Sequence, residues 1–305
     1  MTLTELRYIV AVAQERHFGR AAERCFITQP ALSLAIQKLE EELGALIFER
    51  RKKQITVTPL GEKIVQQAQR VLEEAEQIAV IAAQGKDQLV GPLRLGVIPT
   101  VAPYILPDLV PILHKRAPAM PLEIEENLTA NLSAMLKHGR LDAIIIALPY
   151  EETGVLRKPL YDEPFKVVVP ATHPWAKKRR IDATWLGNEK VILPHAGHCF
   201  RRQVLDQCPE ISRSDEQGIQ GSSLETIRQM VASGLGVTVL PCSALTAKHQ
   251  NRHLVAVPFA EPVPERQIGL AWRKGFSRPA ALTVIGESVQ ALKIPELEMV
   301  GSSEP

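Results

Sequence analysis

The stretch FGRAAERCFITQPALSLAIQKLE, residues 18–40, decides the fold of the N-terminal part of the chain. It contains AAERC (residues 21–25), whose two alanines and cysteine give one small, apolar helix face. Thr28 and Pro30 then predict the start of a second helix, because threonine is a good N-cap and proline is tolerated in the first turn. The stretch therefore predicts two short helices separated by a tight break.

The second predicted helix has one apolar and one polar face. Leu32, Ile36 and Leu39 recur at spacings of four and three residues, which predicts a buried stripe. Glutamine and serine side chains on another face can read base edges in the major groove, and a flanking lysine can contact phosphate. Two such helices are typical of a helix-turn-helix, and a solvated face of an ordinary small bundle is the alternative. The predicted DNA-contacting residues of this helix are Thr28, Gln29, Pro30, Ser33, Gln37 and Lys38.

Four consecutive cations follow the second helix. Arg50, Arg51, Lys52 and Lys53 precede a short β-branched strand predicted at Ile55–Thr58. A strand-turn-strand with basic residues at its tip is a wing, which suits phosphate contacts beside a helix-turn-helix. A charge run is usually only a solvated turn, but its position directly after the candidate recognition helix favours a wing.

One long helix without proline or internal glycine is predicted from Gly61 to Gly85. Apolar residues recur along it at spacings of four and three, as in a heptad seam. A seam this regular favours a partner helix from a second chain over packing on its own domain. A homodimer would place two recognition helices on successive major-groove faces of DNA. The predicted dimerisation residues are Ile64, Ala68, Val71, Ala75, Ile78 and Ala82.

Strands and helices alternate beyond a hinge at residues 85–92, which predicts an α/β regulatory domain. We expect two Rossmann-like subdomains around a cleft, the usual place for a ligand. The predicted domains are 1–60 for the winged helix-turn-helix, 61–90 for the linker helix and hinge, and 91–305 for the regulatory domain. Within the regulatory domain, subdomain I covers about 91–162 and 268–305, and subdomain II about 163–267.

Composition limits the class of protein. The chain has 305 residues and a formal net charge of only +2, so DNA binding requires a local basic patch. Its longest apolar runs, such as Ala143–Leu148, have only six residues, far fewer than the roughly 18 of a membrane-spanning helix. No signal peptide is recognisable either, so we expect a cytoplasmic protein whose four cysteines are thiols. Zinc-finger spacing, a GxGxxG motif and a P-loop are missing from the sequence, so no metal and no nucleotide cofactor are expected.

The N-terminal segment AAERCFITQPALSLAIQKLEEELGALIFER closely resembles the LysR-type transcriptional regulators. The resemblance extends through the linker helix and the two-part regulatory domain. It implies a winged helix-turn-helix, a dimer formed through the linker helix, often a dimer of dimers, and contact with RNA polymerase. It also implies a regulatory domain folded like the periplasmic binding proteins.

A narrower set of segments is similar to the peroxide-sensing members of that family. These segments are Pro99–Tyr104, His173–Trp175, Gly197–Cys199, Ser223–Thr226 and Arg266–Arg273. The resemblance implies that Cys199 is the peroxide-reacting thiol and Cys208 its disulfide partner. It also implies a peroxide pocket formed by Thr100, Thr129, His198 and Arg266.

The residues themselves give a weaker signal for these cysteines. Four cysteines form six pairs, and chance alone would bring at least one pair this close roughly a third of the time. His198 and Arg201 are neighbours in sequence that could favour a thiolate at Cys199. Residues 201–207 are typical of a helix, which would hold Cys199 and Cys208 about 13 Å apart. A disulfide needs about 7 Å or less, so bonding would require this segment to unwind.

Three functions remain open from the sequence. The favoured function is a peroxide-responsive, DNA-binding regulator without enzymatic activity, and we expect Cys25 and Cys242 to be structural. The second is a regulator of the same family whose cleft binds a metabolite, with the cysteines incidental. The third is a thiol peroxidase built on the α/β domain, in which the basic wing and the heptad helix have no purpose.

Overall fold

The computed structural model describes residues 1–51, 54–82, 88–213, 219–249 and 251–300. The chain divides into two compact units, Met1–Lys86 with Gly275–Ser277, and Asp87–Lys274 with Arg278–Pro305. No helix in the described part of the chain combines the length and the apolar character that crossing a membrane requires.

The N-terminal unit contains three helices, a hairpin and a long fourth helix. These elements are α1 Leu3–Glu15, α2 Phe18–Arg24, α3 Gln29–Leu43, β1 Phe48–Arg51, β2 Gln54–Val57 and α4 Pro59–Ala82. The predicted stripe of Leu32, Ile36 and Leu39 is buried, which confirms it. Its partners in the core include Ile9 of α1 and Val65 of α4.

The turn between α2 and α3 is tight, and Phe26 adopts a left-handed conformation there with φ 56°. Thr28 is the N-cap residue of α3, as predicted, but its side chain makes no capping hydrogen bond. Thr28 therefore has the extended backbone of an N-cap residue, but its hydroxyl does not cap the helix. The hairpin is held to α3 by the Glu40 carboxylate, which accepts hydrogen bonds from the N–H groups of Ile47 and Phe48 at 2.7 and 3.0 Å.

The strands β1 and β2 are antiparallel, with Arg51 opposite Gln54. The start of α4 lies against the segment before the hairpin, and a side chain at Gly61 would meet the Ile47 carbonyl oxygen at 2.2 Å. Position 61 therefore requires glycine, because the backbone there lies too close to the Ile47 carbonyl oxygen for a side chain. The predicted strand and the start of the predicted helix are each displaced by one or two residues, which is ordinary for element boundaries.

The second unit is built on a mixed sheet with helices. Its elements in chain order are β3 Leu93–Val97, α5 Ala102–Arg116, β4 Leu122–Glu126, α6 Thr129–Lys137, β5 Ala143–Leu148, β6 Val155–Pro170, β7 Leu193–Pro194, α7 Cys199–Gln207, β8 Gln220–Gly221, α8 Leu224–Ala232, β9 Thr238–Pro241, β10 Leu254–Pro258, β11 Glu265–Arg273, α9 Pro279–Gln290 and β12 Glu298–Met299. The strand order is β10-β6-β11-β5-β3-β4, and β9 and β12 also pair with β6.

The strands β3, β4 and β5 are parallel, whereas β11 runs antiparallel to both β5 and β6. The strand β6 is long, with 16 residues. Its first part pairs with β11 and its last part with β9 and β10. The predicted limit between subdomains, at residues 162 and 163, lies within this continuous strand.

Candidate functional site

Cys199 is the first residue of α7, with His198 as the N-cap, and its side chain is half-buried. It borders a recess between the segment that follows β3 and the first turns of α6 and α7. The recess is tight and encloses no space as large as a water molecule; it is lined by Ile98, Pro99, Thr100, Leu128, Thr129, His198 and Cys199. The positive ends of two helix dipoles therefore lie beside the thiol, an arrangement that favours negative charge.

Arg266, on β11, is entirely buried next to this recess. Its Nη1 donates to the Thr100 Oγ1 and its Nη2 to the Thr100 carbonyl oxygen, both at 2.9 Å. Its Nε donates to the Glu163 Oε2 at 2.7 Å, and its guanidinium lies 5.0 Å from the centre of the Phe200 ring. These contacts fix the guanidinium in one position behind the pocket wall.

The charge of Arg266 is maintained in this buried position. Burial lowers the pKa of the guanidinium, but the neighbouring groups Glu163, Tyr161 and Cys199 outweigh it, and the net pKa is raised. Cys199 is thus one of the groups that interact electrostatically with the buried guanidinium.

The sequence suggests only that His198 and Arg201, as neighbours of Cys199, could favour its thiolate. Burial and the neighbouring His195 lower the pKa of His198, so the imidazole is neutral near pH 7. The Arg201 Nη1 donates to the Pro194 carbonyl oxygen at 3.3 Å. The cation that acts on Cys199 is Arg266, which is distant in sequence.

Thr129 offers the recess an available hydroxyl. Its Oγ1 is buried and has no hydrogen-bond partner among the described residues. A buried hydroxyl without a protein partner can form a hydrogen bond with a small polar molecule in the recess. Thr100, Thr129 and His198 thus line one recess with Cys199, whereas Arg266 reaches it through Thr100.

Cys208 follows the other end of α7 and is fully buried in the core that also contains Phe200 and Val204. Burial, and then the charge of Glu210, raise the pKa of its thiol to about 11. Residues 199–207 form a continuous helix, which confirms the predicted helix and separates the two cysteine Cα atoms by about 13 Å. The pair cannot bond in this conformation.

The other two thiols lie elsewhere. Cys25 is half-buried against the N-terminal core, and Cys242 is buried with its Sγ 3.8 Å from the Pro295 carbonyl oxygen. Burial raises the pKa of both thiols. Within the described ranges, histidines, cysteines and carboxylates form no group that could hold a metal ion.

Sequence reasoning missed Glu163 and Phe200. Glu163 is fully buried. It lies on the same face of β6 as the buried residues Tyr161, Phe165 and Val167, which recur at every second position. A carboxylate in the buried register of a strand requires a partner cation, and that pattern is visible in the sequence. Nothing in the sequence says that the partner is Arg266.

The residues predicted to contact DNA lie on the exposed side of α3, with Ser33 half-buried and the others exposed. Arg50 and Arg51 belong to β1, but their side chains are not among those described, and Lys52 and Lys53 lie outside the described residues. The hairpin confirms the predicted strand-turn-strand.

The predicted dimerisation seam divides in two. Ala68 is 3% exposed within the core of its own unit, and Ile64 packs against that core. This corrects the expectation that the start of the seam faces a partner. Val71 and Ile78 are exposed, Ala75 is half-buried, and the Ala82 side chain is not among those described.

Comparison with known families settles the class of protein. Residues 3–62 match the bacterial regulatory helix-turn-helix of the lysR family, and residues 86–293 match the LysR substrate binding domain. The chain belongs to the LysR family.

Within the LysR family, the similar proteins are OxyR regulators. The DNA-binding transcriptional dual regulator OxyR of Escherichia coli K12 is 38% identical over 291 residues, which cover 95% of both chains. The structure of a full-length OxyR variant from Pseudomonas aeruginosa is 52% identical, covers 100% of this chain and 99% of that one, and superposes with a TM-score of 0.86. A cysteine variant of Corynebacterium glutamicum OxyR with H2O2 bound is 36% identical, covers 95% of this chain and 91% of its own, and has a TM-score of 0.63.

Proposed function

We propose that this LysR-family chain is a DNA-binding transcription regulator that senses hydrogen peroxide through Cys199 and Cys208. The observation that carries the proposal is the placement of Cys199 in a small recess beside an unpartnered threonine hydroxyl and a fixed, buried arginine. Similar proteins named hydrogen peroxide-inducible genes activator, and a similar structure with H2O2 bound, support it.

In the first chemical step, the Cys199 thiolate attacks one oxygen of H2O2. The S–O bond forms as the O–O bond breaks, giving sulfenic acid and hydroxide. Arg266 lies fixed behind the wall of the recess, and the Thr129 hydroxyl can orient the peroxide.

In the second step, the Cys208 sulfur attacks the sulfenic acid, forming a disulfide and releasing water. Because the two cysteines lie at opposite ends of α7, the helix must unwind before they meet. The rearranged segment then changes the geometry of the oligomer on DNA, as a bistable element does.

The remaining parts of the proposal concern partners. Thr28, Gln29, Pro30, Ser33, Gln37 and Lys38 contact the operator, and the wing residues Arg50, Arg51, Lys52 and Lys53 contact phosphates. The exposed part of α4 forms a homodimer, and two dimers form a tetramer that activates transcription together with RNA polymerase in the cytoplasm. The protein acts as a regulator and not as an enzyme.

The deciding experiment is disulfide mapping by mass spectrometry before and after a near-stoichiometric pulse of H2O2. We expect a Cys199–Cys208 bond that forms rapidly, is reversed by a thiol reductant and is abolished in Cys199→Ser. Survival of both thiols would refute peroxide sensing and favour the metabolite-binding regulator. Sustained turnover of peroxide with a thiol reductant would instead favour the thiol peroxidase.

A further inference from the structure

Two glutamines on α7 dock on the main chain of the central sheet. Gln203 and Gln207 are four residues apart and so share one helix face. The Gln203 Nε2 donates to the Leu148 carbonyl oxygen at 3.4 Å. The Gln207 Oε1 accepts from the Glu265 N–H at 2.7 Å, and its Nε2 donates to the Glu265 carbonyl oxygen. We call these three hydrogen bonds the glutamine clamp.

The clamp binds the start of β11, where the strand has no neighbouring strand on the β5 side. The Phe165 N–H donates to the Pro264 carbonyl oxygen, so Pro264 faces β6, and in an antiparallel ladder Glu265 then faces away from it. On that other side the last pair between β11 and β5 is Gln267 with Leu148. The Gln207 carboxamide therefore takes the place of a neighbouring strand for Glu265.

The clamp also lies at the end of α7 that has to move. Gln207 is the last residue of the helix and Cys208 is its C-cap. At the other end, Phe200 is fully buried against Phe165, with ring centres 5.1 Å apart. For the C-terminal end to leave the sheet, the bonds of Gln207 to Glu265 must break and the buried Cys208 must leave the core.

We propose that Gln207, assisted by Gln203, is a positioning residue that sets the rate at which α7 unwinds and thus the rate of disulfide formation between Cys199 and Cys208. The second part rests on the proposed function. Since Glu265 directly precedes Arg266, the same clamp joins the Cys208 end of the helix to the strand that carries the pocket cation.

The first test measures helix opening in the reduced, full-length protein by amide hydrogen exchange of the segment 199–208. In Gln207→Ala we expect exchange to be about threefold to tenfold faster, from the usual net contribution of one or two hydrogen bonds. Alanine is the stronger helix former, so helix propensity alone predicts the opposite direction. The matched control is Asp206→Ala on the exposed side of the same turn, which we expect to exchange no faster than wild type.

The second test measures the rate of the Cys199–Cys208 bond after a pulse of H2O2, by quenched mass spectrometry. We expect Gln207→Ala to form it about threefold to tenfold faster. Sulfenic acid formation, followed in a Cys208→Ser background, should not change with Gln207→Ala. Exchange of Gln207→Ala at the wild-type rate would overturn the clamp, and faster exchange without faster disulfide formation would overturn its control of the second step. A wild-type protein that forms no disulfide would instead refute the proposed function, and the exchange result would still decide whether Gln207 holds the helix.

Discussion

Arg266 and Glu163 form an ion pair at 2.7 Å in which both side chains have no exposed surface. The second carboxylate oxygen of Glu163 accepts a hydrogen bond from the Ser243 N–H at 3.0 Å. The pair therefore joins the strand β11 to β6 and to the segment after β9. It places a fully buried cation close to Cys199.

Replacing Glu163 by glutamine leaves a buried guanidinium without its counter-charge. We expect Glu163→Gln to lower the free energy of unfolding by about 3–5 kcal/mol, measured by urea denaturation. The matched control is Glu287→Gln, which removes the exposed ion pair with Arg116 at 2.7 Å and should cost less than about 1 kcal/mol. Equal effects of the two substitutions would mean that burial does not set the strength of the pair.

Thr129→Val separates stability from reactivity. The substitution removes a buried hydroxyl that has no partner among the described residues, so the free energy of unfolding should stay the same or rise. The reaction of Cys199 with H2O2 should slow by about fivefold to tenfold, because the hydroxyl no longer binds the peroxide. Stopped-flow peroxide consumption and urea denaturation measure the two effects. An unchanged rate would remove Thr129 from the peroxide pocket.

The thiols should differ in their reaction with iodoacetamide and in its pH dependence. Burial holds the pKa of Cys208 at about 11, so its thiol stays protonated and unreactive at pH 8 while the half-buried Cys199 is labelled. Raising the pH toward 10 should increase labelling of Cys208, since the thiolate fraction grows as pH approaches its pKa. Timed mass spectrometry of the reduced protein tests this order. Labelling of Cys208 as fast as Cys199 at pH 8 would contradict it.

The exposed part of α4 should carry the dimer contact. Ile78 is 68% exposed within its own unit, and burying an isoleucine against a partner contributes about 1.5–3 kcal/mol. We therefore expect Ile78→Asp to raise the dimer dissociation constant at least about tenfold in sedimentation equilibrium. Glu76→Ala, at an exposed neighbouring position, is the control and should leave the constant unchanged. A dimer unaffected by Ile78→Asp would have to use another surface.

Much of the fold was predictable because the signals are local. The stripe of Leu32, Ile36 and Leu39, the hairpin after it and the helix between the two cysteines all follow from spacing and composition. The length of β6 was not predictable, since its first part contains Lys158 and Pro159 and is stabilised as a strand by pairing with the distant β11 and β12. The burial of Ala68 in its own unit was not predictable either, because an apolar seam on a helix does not show whether it packs within the chain or against a second chain.

The site was only partly predictable for a related reason. The sequence places His198 and Arg201 beside Cys199, but the structure makes the first neutral and turns the second to the Pro194 carbonyl oxygen. The acting cation is 67 positions further along the chain, and its counter-ion Glu163 precedes the cysteine by 36 positions. Pairings between distant segments of this kind depend on sheet topology, which spacing along the chain does not encode.

The strand β6 has a consequence for how the regulatory unit melts. The first part of its 16 residues pairs with β11 and the last part with β9 and β10. One continuous strand therefore joins both halves of the unit. Loss of the strands in one half is therefore expected to disturb the other half through β6. We expect the unit to unfold in one cooperative thermal transition, and a proteolytic cut within β6 to destabilise both halves.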